Sequence, residues 1–308
     1  MPNYNKASFL NETLNSVLSQ TYADWEIILV DDGSTDDSRE IIANFALKDK
    51  RIKPVYREKQ INGGSVCRNI GIDKSIGEFI MFLDSDDLLE ANCIEQRLLY
   101  FSENSSLDFI VTTMGSFKSK IGDSNYIWLP NFPNPLQKFL RHELPWTIMQ
   151  PTWKKEFVQE LGGFSSNYSR MQDVELHTRA LIKSKEYLLV DGKADCWYRF
   201  SDERLTLSHG VLMHRFFESA VRYFKEFDTP LYHSDLKMMI LEVCSFGIHK
   251  KNSGFVSKNE FSKTMLESNL KEIIQSEKFW QIKVYLRLSL IFPFHLKGLK
   301  RITRLLLN

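Results

Sequence analysis

Two apolar runs end in acid. Glu26-Ile27-Ile28-Leu29-Val30 leads into Asp31-Asp32, and Glu78-Phe79-Ile80-Met81-Phe82-Leu83 leads into Asp84-Ser85-Asp86-Asp87. Carboxylates gathered at such run ends are costly to bury unless positive charge or hydrogen-bond donors compensate. A divalent cation supplies the charge. Hard oxygen ligands that leave room for phosphate oxygens suit Mg²⁺ or Mn²⁺, held through one or two carboxylates plus the phosphates of a substrate. The bland reading is that these acids cap the helices that follow, which a lone Asp-x-Asp would favour. Repetition at two run ends favours the ligand reading.

Downstream, Met171-Gln172-Asp173-Val174-Glu175-Leu176 offers a further carboxylate, which by spacing alone reads as the cap of a helix carrying Leu176, Ala180 and Leu181. His209 and His214 follow Tyr198-Arg199 and Arg204, and a lone histidine is more often packing or surface than ligand. Trp128, Trp146 and Trp153 admit two readings, stacking on sugar rings or anchoring core and loops.

The elements that must position these residues alternate. Phe9, Leu10, Leu14, Val17 and Leu18 recur at helical spacing before the run that ends at Asp31. Gly33-Ser34-Thr35-Asp36 turns the chain, and Ser34 with Asp37 has the spacing of a capping box for a helix carrying Ile41, Ile42 and Phe45. A strand over Ile52 to Tyr56, a turn at Asn62-Gly63-Gly64, a helix from about Val66 to Ser75 and the run that ends at Asp84 follow, with another strand near Asp108 to Met114. Strands alternating with helices predict a mostly parallel α/β sheet flanked by helices, which binds ligands at the carboxyl ends of its strands. From about Leu205 the pattern is helical, so the chain divides into an α/β domain over 1–204 and a C-terminal helical region over 205–308.

Composition narrows the function classes. Hydrophobic residues make up 43% and charged residues 26% of 308, so the chain can bury a large core. Lys and Arg number 40 against 39 Asp and Glu, a balance that argues against a nucleic-acid partner. Cys67, Cys93, Cys196 and Cys244 have no metal-site or disulfide spacing and fit a reducing, cytoplasmic setting. No signal-peptide pattern or run of spanning length is visible. Residues 279–308 carry Lys283, Arg287, Lys297, Lys300, Arg301 and Arg304 without an acid, interleaved with Trp280, Tyr285, Leu286 and Phe292. That pattern fits either a peripheral helix on the anionic inner face of a membrane or a helix packed on the protein itself.

Pro2-Asn3-Tyr4-Asn5, Ser19-Gln20-Thr21-Tyr22 and Val30-Asp31-Asp32-Gly33-Ser34-Thr35-Asp36, followed by Arg68-Asn69, Gly77-Glu78-Phe79 and Leu83-Asp84-Ser85-Asp86-Asp87, together resemble the family 2 inverting glycosyltransferases. The match runs over Pro2 to Asp87 and resumes around Gly162 to Arg179. The resemblance implies a GT-A (Rossmann-like) fold and sugar transfer from a nucleotide-diphosphate donor. Pro2 and Tyr4 would line the nucleotide pocket, Asp32 would accept from the base, and Asp31 would support the turn. An imide donor facing a carboxylate suits UDP. Arg68 would face the nucleotide or its phosphates, or else pair with a nearby acid. Asp84 and Ser85 would lie on the donor, Asp86 would hold Mn²⁺ or Mg²⁺ with His209 as a further candidate ligand, and Asp173 would be the base.

Gln172 departs from the glutamate common in the family, which bears on acceptor contacts. The family also has a buried strand before the segment matched by Pro2, where only Met1 stands here, so the expectation is a natural chain that begins upstream or else a truncated or misannotated product. The expected activity is metal-dependent, inverting transfer from a UDP-sugar to a glycan or lipid-linked acceptor in surface-polysaccharide synthesis. The alternatives are a catalytically silent nucleotide-sugar-binding module and, less well matched for want of a Gly-rich phosphate loop, a nucleotidyltransferase.

Overall fold

The computed structural model describes residues 1–58, 63–200, 208–275, 280 and 282–284. In chain order the elements are β1 (Pro2–Asn3), α1 (Ala7–Leu18), β2 (Ile27–Asp31), α2 (Ser38–Lys48), β3 (Ile52–Tyr56), α3 (Gly64–Lys74), β4 (Phe79–Met81), β5 (Leu88–Leu89), α4 (Cys93–Glu103), β6 (Phe109–Val111), β7 (Met114–Phe117) and β8 (Ile127–Trp128). They continue with α5 (Pro135–Leu140), β9 (Pro151–Lys154), α6 (Lys155–Glu160), α7 (Gln172–Lys183), β10 (Tyr187–Leu189), β11 (Cys196–Arg199), α8 (His209–Phe227), α9 (His233–Asn252), α10 (Lys258–Glu267) and α11 (Leu270–Gln275).

The apolar stripe of α1 buries Leu10, Leu14 and Val17 at helical spacing. It packs on Ile27 and Leu29 of β2 together with Ile42, Ile52, Leu83 and Leu89. All five residues of β2 are buried, as a continuous apolar run in a covered parallel sheet should be. The register is parallel on both sides, with Pro2 opposite Val30, Asn3 opposite Asp31, and Ile27 to Asp31 opposite Ile52 to Tyr56. Two further sheets follow, in the orders β10-β6-β9-β4 and β5-β11-β7-β8. The result is a mixed α/β fold with a C-terminal helical region.

Two local expectations are corrected and one open reading is resolved. The run near Asp108 to Met114 is not one strand: it breaks at Thr112-Thr113, and β6 and β7 lie in different sheets, the first pairing with β10 and β9 and the second with β11 and β8. Ser34 does not cap α2. Its hydroxyl accepts instead from Asn3 Nδ2 at 3.1 Å and the Asn5 amide at 3.0 Å, and Asp37 is the residue that precedes the helix. Trp146 and Trp153 are core anchors, fully buried, with Trp153 at 4.6 Å centroid distance from Phe109, whereas Trp128 is half-buried beside Tyr126.

The chain packs as two units. The first comprises Met1–Pro133, Pro145–Asn167 and Leu176–Asp202 and contains every strand named above. Within it a cavity of about 540 Å³ is lined by Ile27 and Ile28 of β2, by Phe79, Ile80 and Met81 of β4, and by Leu83 and Ile72. The second unit comprises Asn134–Leu144, Tyr168–Glu175 and Glu203–Asn308. There Met213, Phe217, Ala220, Val221 and Phe224 form the buried stripe of α8, which closes against α9 at Gly247, where a Cβ would stand 2.5 Å from the Phe217 ring. Arg141 Nε ties the end of α5 to Asp235 of α9 at 2.6 Å. Among the described residues no helix is long and apolar enough to cross a membrane. Most of the basic tail, residues 279, 281 and 285–308, lies outside them.

Candidate active site

The segment leaving β1 is stitched to the turn that leaves β2. Asn3 Nδ2 donates to Asp31 Oδ2 at 2.9 Å, the Thr35 amide to Asn5 Oδ1 at 2.8 Å, the Lys6 amide to Ser38 Oγ at 3.0 Å, and the Ala7 amide to Asp36 Oδ2 at 3.0 Å. Asp31 organises this turn. Its carboxylate also accepts from the Ser34 amide at 3.1 Å and from Arg39 Nε at 2.8 Å. Burial pushes its pKa up, but the hydrogen bonds from Ser34, Arg39 and Asn3 outweigh burial and hold it below the usual carboxylate value. Asp32 is engaged by Arg57 and by the Gly63 amide at 2.8 Å. The Tyr4 ring is exposed and Pro2 is half-buried.

The second acidic run forms a loop gripped from four directions. Arg68 of α3 donates through Nη2 to Asp84 Oδ1 at 2.6 Å, so Arg68 meets an acid, one of its two expected roles. Thr13 of α1 donates to the Ser85 carbonyl at 3.2 Å. Lys6 Nζ stands 2.7 Å from Asp86 Oδ2. Arg199 of β11 donates its amide to Asp87 Oδ1 and its Nε to the Asp86 carbonyl, both at 2.8 Å, and its Nη2 meets Glu12 at 2.5 Å. The guanidinium lies over the rings of Phe117 and Phe9, at 4.3 and 4.9 Å. Ser85, Asp86 and Asp87 are buried, while the Asp84 side chain is 34% exposed.

This donor set fits a hard cation. Asp86 already holds a positive charge, the Lys6 ammonium, and the exposed Asp84 carboxylate lies two residues away. Among the described residues no three His, Cys, Asp or Glu side chains are grouped to hold an ion unaided. Mg²⁺ and Mn²⁺ need no such cage where phosphates complete the coordination.

The later motif is joined to the first by Asn69. Its Oδ1 accepts from the Phe164 amide and its Nδ2 donates to the Phe164 carbonyl, each at 2.8 Å, so Arg68-Asn69 and Gly162-Gly163-Phe164 form one clamp. Gly163 has φ +66° and lies so close that a Cβ would stand 2.6 Å from Asn69 Oδ1, which explains a glycine there. In the second unit, Asp173 is the second residue of α7 and half-buried, inside the helix rather than preceding it as its cap. The residue before the helix, Met171, is buried with φ +59°, a conformation uncommon outside glycine and found at functional sites. His209 opens α8 with its ring 4.7 Å from that of Phe255.

Several residues that shape the site were not singled out from the sequence: Asn3, Lys6, Thr13, Arg57 and the role of Arg199. Lys6 carried a signal, since a cation directly before a helix is a poor choice there.

Comparison with known proteins places this arrangement. The sequence profile of the family described as Glycosyl transferase family 2 matches residues 1–154. A glycosyltransferase of Haemophilus influenzae is 42% identical over 117 residues, which are 38% of this chain and 45% of that protein. The Bacillus subtilis glycosyltransferase TuaG, named for teichuronic acid biosynthesis, is 38% identical over 104 residues, 34% of this chain and 41% of that one. The chain thus spans less than half the length of these relatives. Among solved structures, S. aureus TarS 1–349 in complex with UDP-GlcNAc superposes with TM-score 0.67 at 15% identity, covering 98% of this chain and 87% of that one. A mannosyltransferase from Pyrobaculum calidifontis in complex with GDP-Man and Mn²⁺ gives 0.56 at 15% identity, covering 99% and 85%. These likenesses establish the fold, and with a profile matched over half of its 308 residues the chain belongs to glycosyl transferase family 2.

Proposed function

We propose that this protein transfers a sugar, with inversion, from a UDP-sugar to a hydroxyl of a glycan or lipid-linked acceptor in surface-polysaccharide synthesis. The observation that carries the reading is the acidic loop Asp84 to Asp87, held by Arg68, Thr13, Lys6 and Arg199 beside a turn that Asp31 organises. A site built on fixed groups binds with less reorganisation than one built on loose ones. Tyr4 and Pro2 would flank the base, Asp32 would accept from its imide, and Asp84 and Ser85 would meet the ribose or sugar. Asp86 would hold Mn²⁺ or Mg²⁺, with His209 as a further candidate. A metal there would neutralise charge growing on the leaving diphosphate.

Asp173 is the proposed base. It takes the proton of the acceptor hydroxyl as that oxygen attacks the anomeric carbon, and the bond from that carbon to the diphosphate oxygen breaks to release UDP. A single displacement of this kind inverts the anomeric centre. Asp173 lies in the first turn of α7. The basic tail 279–308 would bring the chain to an anionic membrane surface bearing lipid-linked acceptors. Flotation with anionic liposomes that is unchanged on removing the tail would refute that part.

The reading as a whole is tested by Mn²⁺-dependent binding and turnover of UDP-sugars. Asp86→Ala is expected to weaken metal-dependent donor binding at least tenfold. Wild-type protein that binds donor yet neither transfers nor hydrolyses it with any acceptor would support a silent sugar-nucleotide-binding module instead.

A further inference from the structure

Three basic residues grip the acidic loop, and they are not equivalent. Arg199 is buried and forked, with its amide on Asp87, its Nε on the Asp86 carbonyl and its guanidinium between two aromatic rings. The Arg68 side chain is 10% exposed and also lies over a ring, that of Phe164 at 5.5 Å. Lys6 is 25% exposed, its ammonium lies 5.7 Å from the Phe9 ring, and it meets Asp86 through that one compact group on a flexible stem, without a fork. Of the three, Lys6 is the group most able to leave.

Its position is also locally unfavourable. Lys6 is the residue that caps α1, and its side chain makes no capping hydrogen bond. Caps favour Ser, Thr, Asp or Asn, and the positive end of the helix dipole repels a cation. The start of the helix is served by other groups, Asp36 for the Ala7 amide and Ser38 for the Lys6 amide. A residue that breaks a local rule without local gain points to a role at the site. The partner that compensates is Asp86, whose side chain is 5% exposed and would be costly to bury without a positive neighbour.

We infer that Lys6 is a resident counter-ion that neutralises Asp86 in the metal-free protein and competes with the divalent cation for that carboxylate, so that it sets the affinity of the site for metal. The inference rests on Asp86 holding the metal. Two cations cannot both sit against Asp86 Oδ2 without strong mutual repulsion, so metal entry moves the ammonium away. The loop itself stays in place, because Arg199 and Thr13 hold it through main-chain atoms that a metal does not need.

The test is a Mn²⁺ titration of UDP-saturated protein, with free Mn²⁺ followed by electron paramagnetic resonance, on wild type, Lys6→Met, Lys6→Arg and Asp86→Asn. Lys6→Met keeps the stem and removes the competitor, so Mn²⁺ should bind about three- to tenfold tighter. Lys6→Arg substitutes a forked competitor and should bind it more weakly than wild type. In chelator, Lys6→Met should melt below wild type and regain more stability on adding Mn²⁺. Equal or weaker Mn²⁺ binding by Lys6→Met, or unchanged binding by Lys6→Arg, while Asp86→Asn loses it, overturns the competition and leaves the metal reading intact. Mn²⁺ binding that does not depend on Asp86 in any of the proteins removes both.

Discussion

Replacing Asn69 with alanine removes both hydrogen bonds of the clamp on Phe164, each 2.8 Å long. Phe164 is 2% exposed, so its amide and carbonyl lose their partners in a place that water reaches poorly. A net ~1 kcal/mol for each hydrogen bond, plus part of the cost of leaving buried backbone groups unsatisfied, gives a destabilisation of about 2–3 kcal/mol. Gly163→Ala probes the same contact from the other side. At φ +66° an alanine costs about 1–2 kcal/mol from backbone strain alone, and its Cβ would also overlap Asn69 Oδ1 at 2.6 Å. With Asn69 already shortened to alanine the overlap vanishes and the backbone cost remains. The two substitutions should therefore be sub-additive by about 1 kcal/mol in urea denaturation of the single and double variants. An Asn69→Ala loss under about 0.5 kcal/mol, or strictly additive effects, would refute the clamp as a stabilising contact.

Arg199→Met should destabilise by about 2–4 kcal/mol, because it removes a charge-assisted bond to a buried carbonyl along with two ring contacts, while its pair with the 51% exposed Glu12 adds little. Chemical denaturation measures that loss, and donor turnover should fall with it as the acidic loop loosens. Stability should also fall in acid. Burial lowers the pKa of His177 to about 3, so between the unfolded value near 6.5 and 3 the unfolded chain takes a proton that the folded one does not. Stability then falls by about 1.4 kcal/mol per pH unit below 6.5. Asp31 adds in the same direction, since its stabilisation is present above the unfolded carboxylate value and is lost as pH falls through its depressed folded value. His177→Phe should flatten the pH dependence of the urea midpoint between pH 6 and 4, and an unchanged slope would count against this origin.

What was legible in the sequence was local. The apolar periods of α1, β2, β3 and α3 depend on residues a few positions apart, and the first acid pair stands at the end of β2 as the sequence places it, whereas β4 stops at Met81, short of the Leu83 end expected for it, so that Asp84 follows in the loop. The residues that hold those acids were not legible, because they come from far along the chain. Lys6 meets Asp86 across 80 positions and the Arg199 amide meets Asp87 across 112. No period or spacing encodes such a meeting. The Ser34 capping box failed for the same reason: Asn3 and Asn5, some thirty residues upstream, took its hydroxyl. Met114 looked continuous with the run before it, yet the strand breaks at Thr112-Thr113 and Met114 pairs in another sheet, a change of partner that two β-branched threonines conceal.

The central claim, that Asp173 is the base of a sugar transfer, is tested most directly by the turnover of Asp173→Asn with UDP-sugar, Mn²⁺ and an acceptor. The expected result is donor binding within about twofold of wild type and transfer slowed by roughly 10²–10⁴, the usual contribution of a positioned general base. Transfer at the wild-type rate by Asp173→Asn would contradict it.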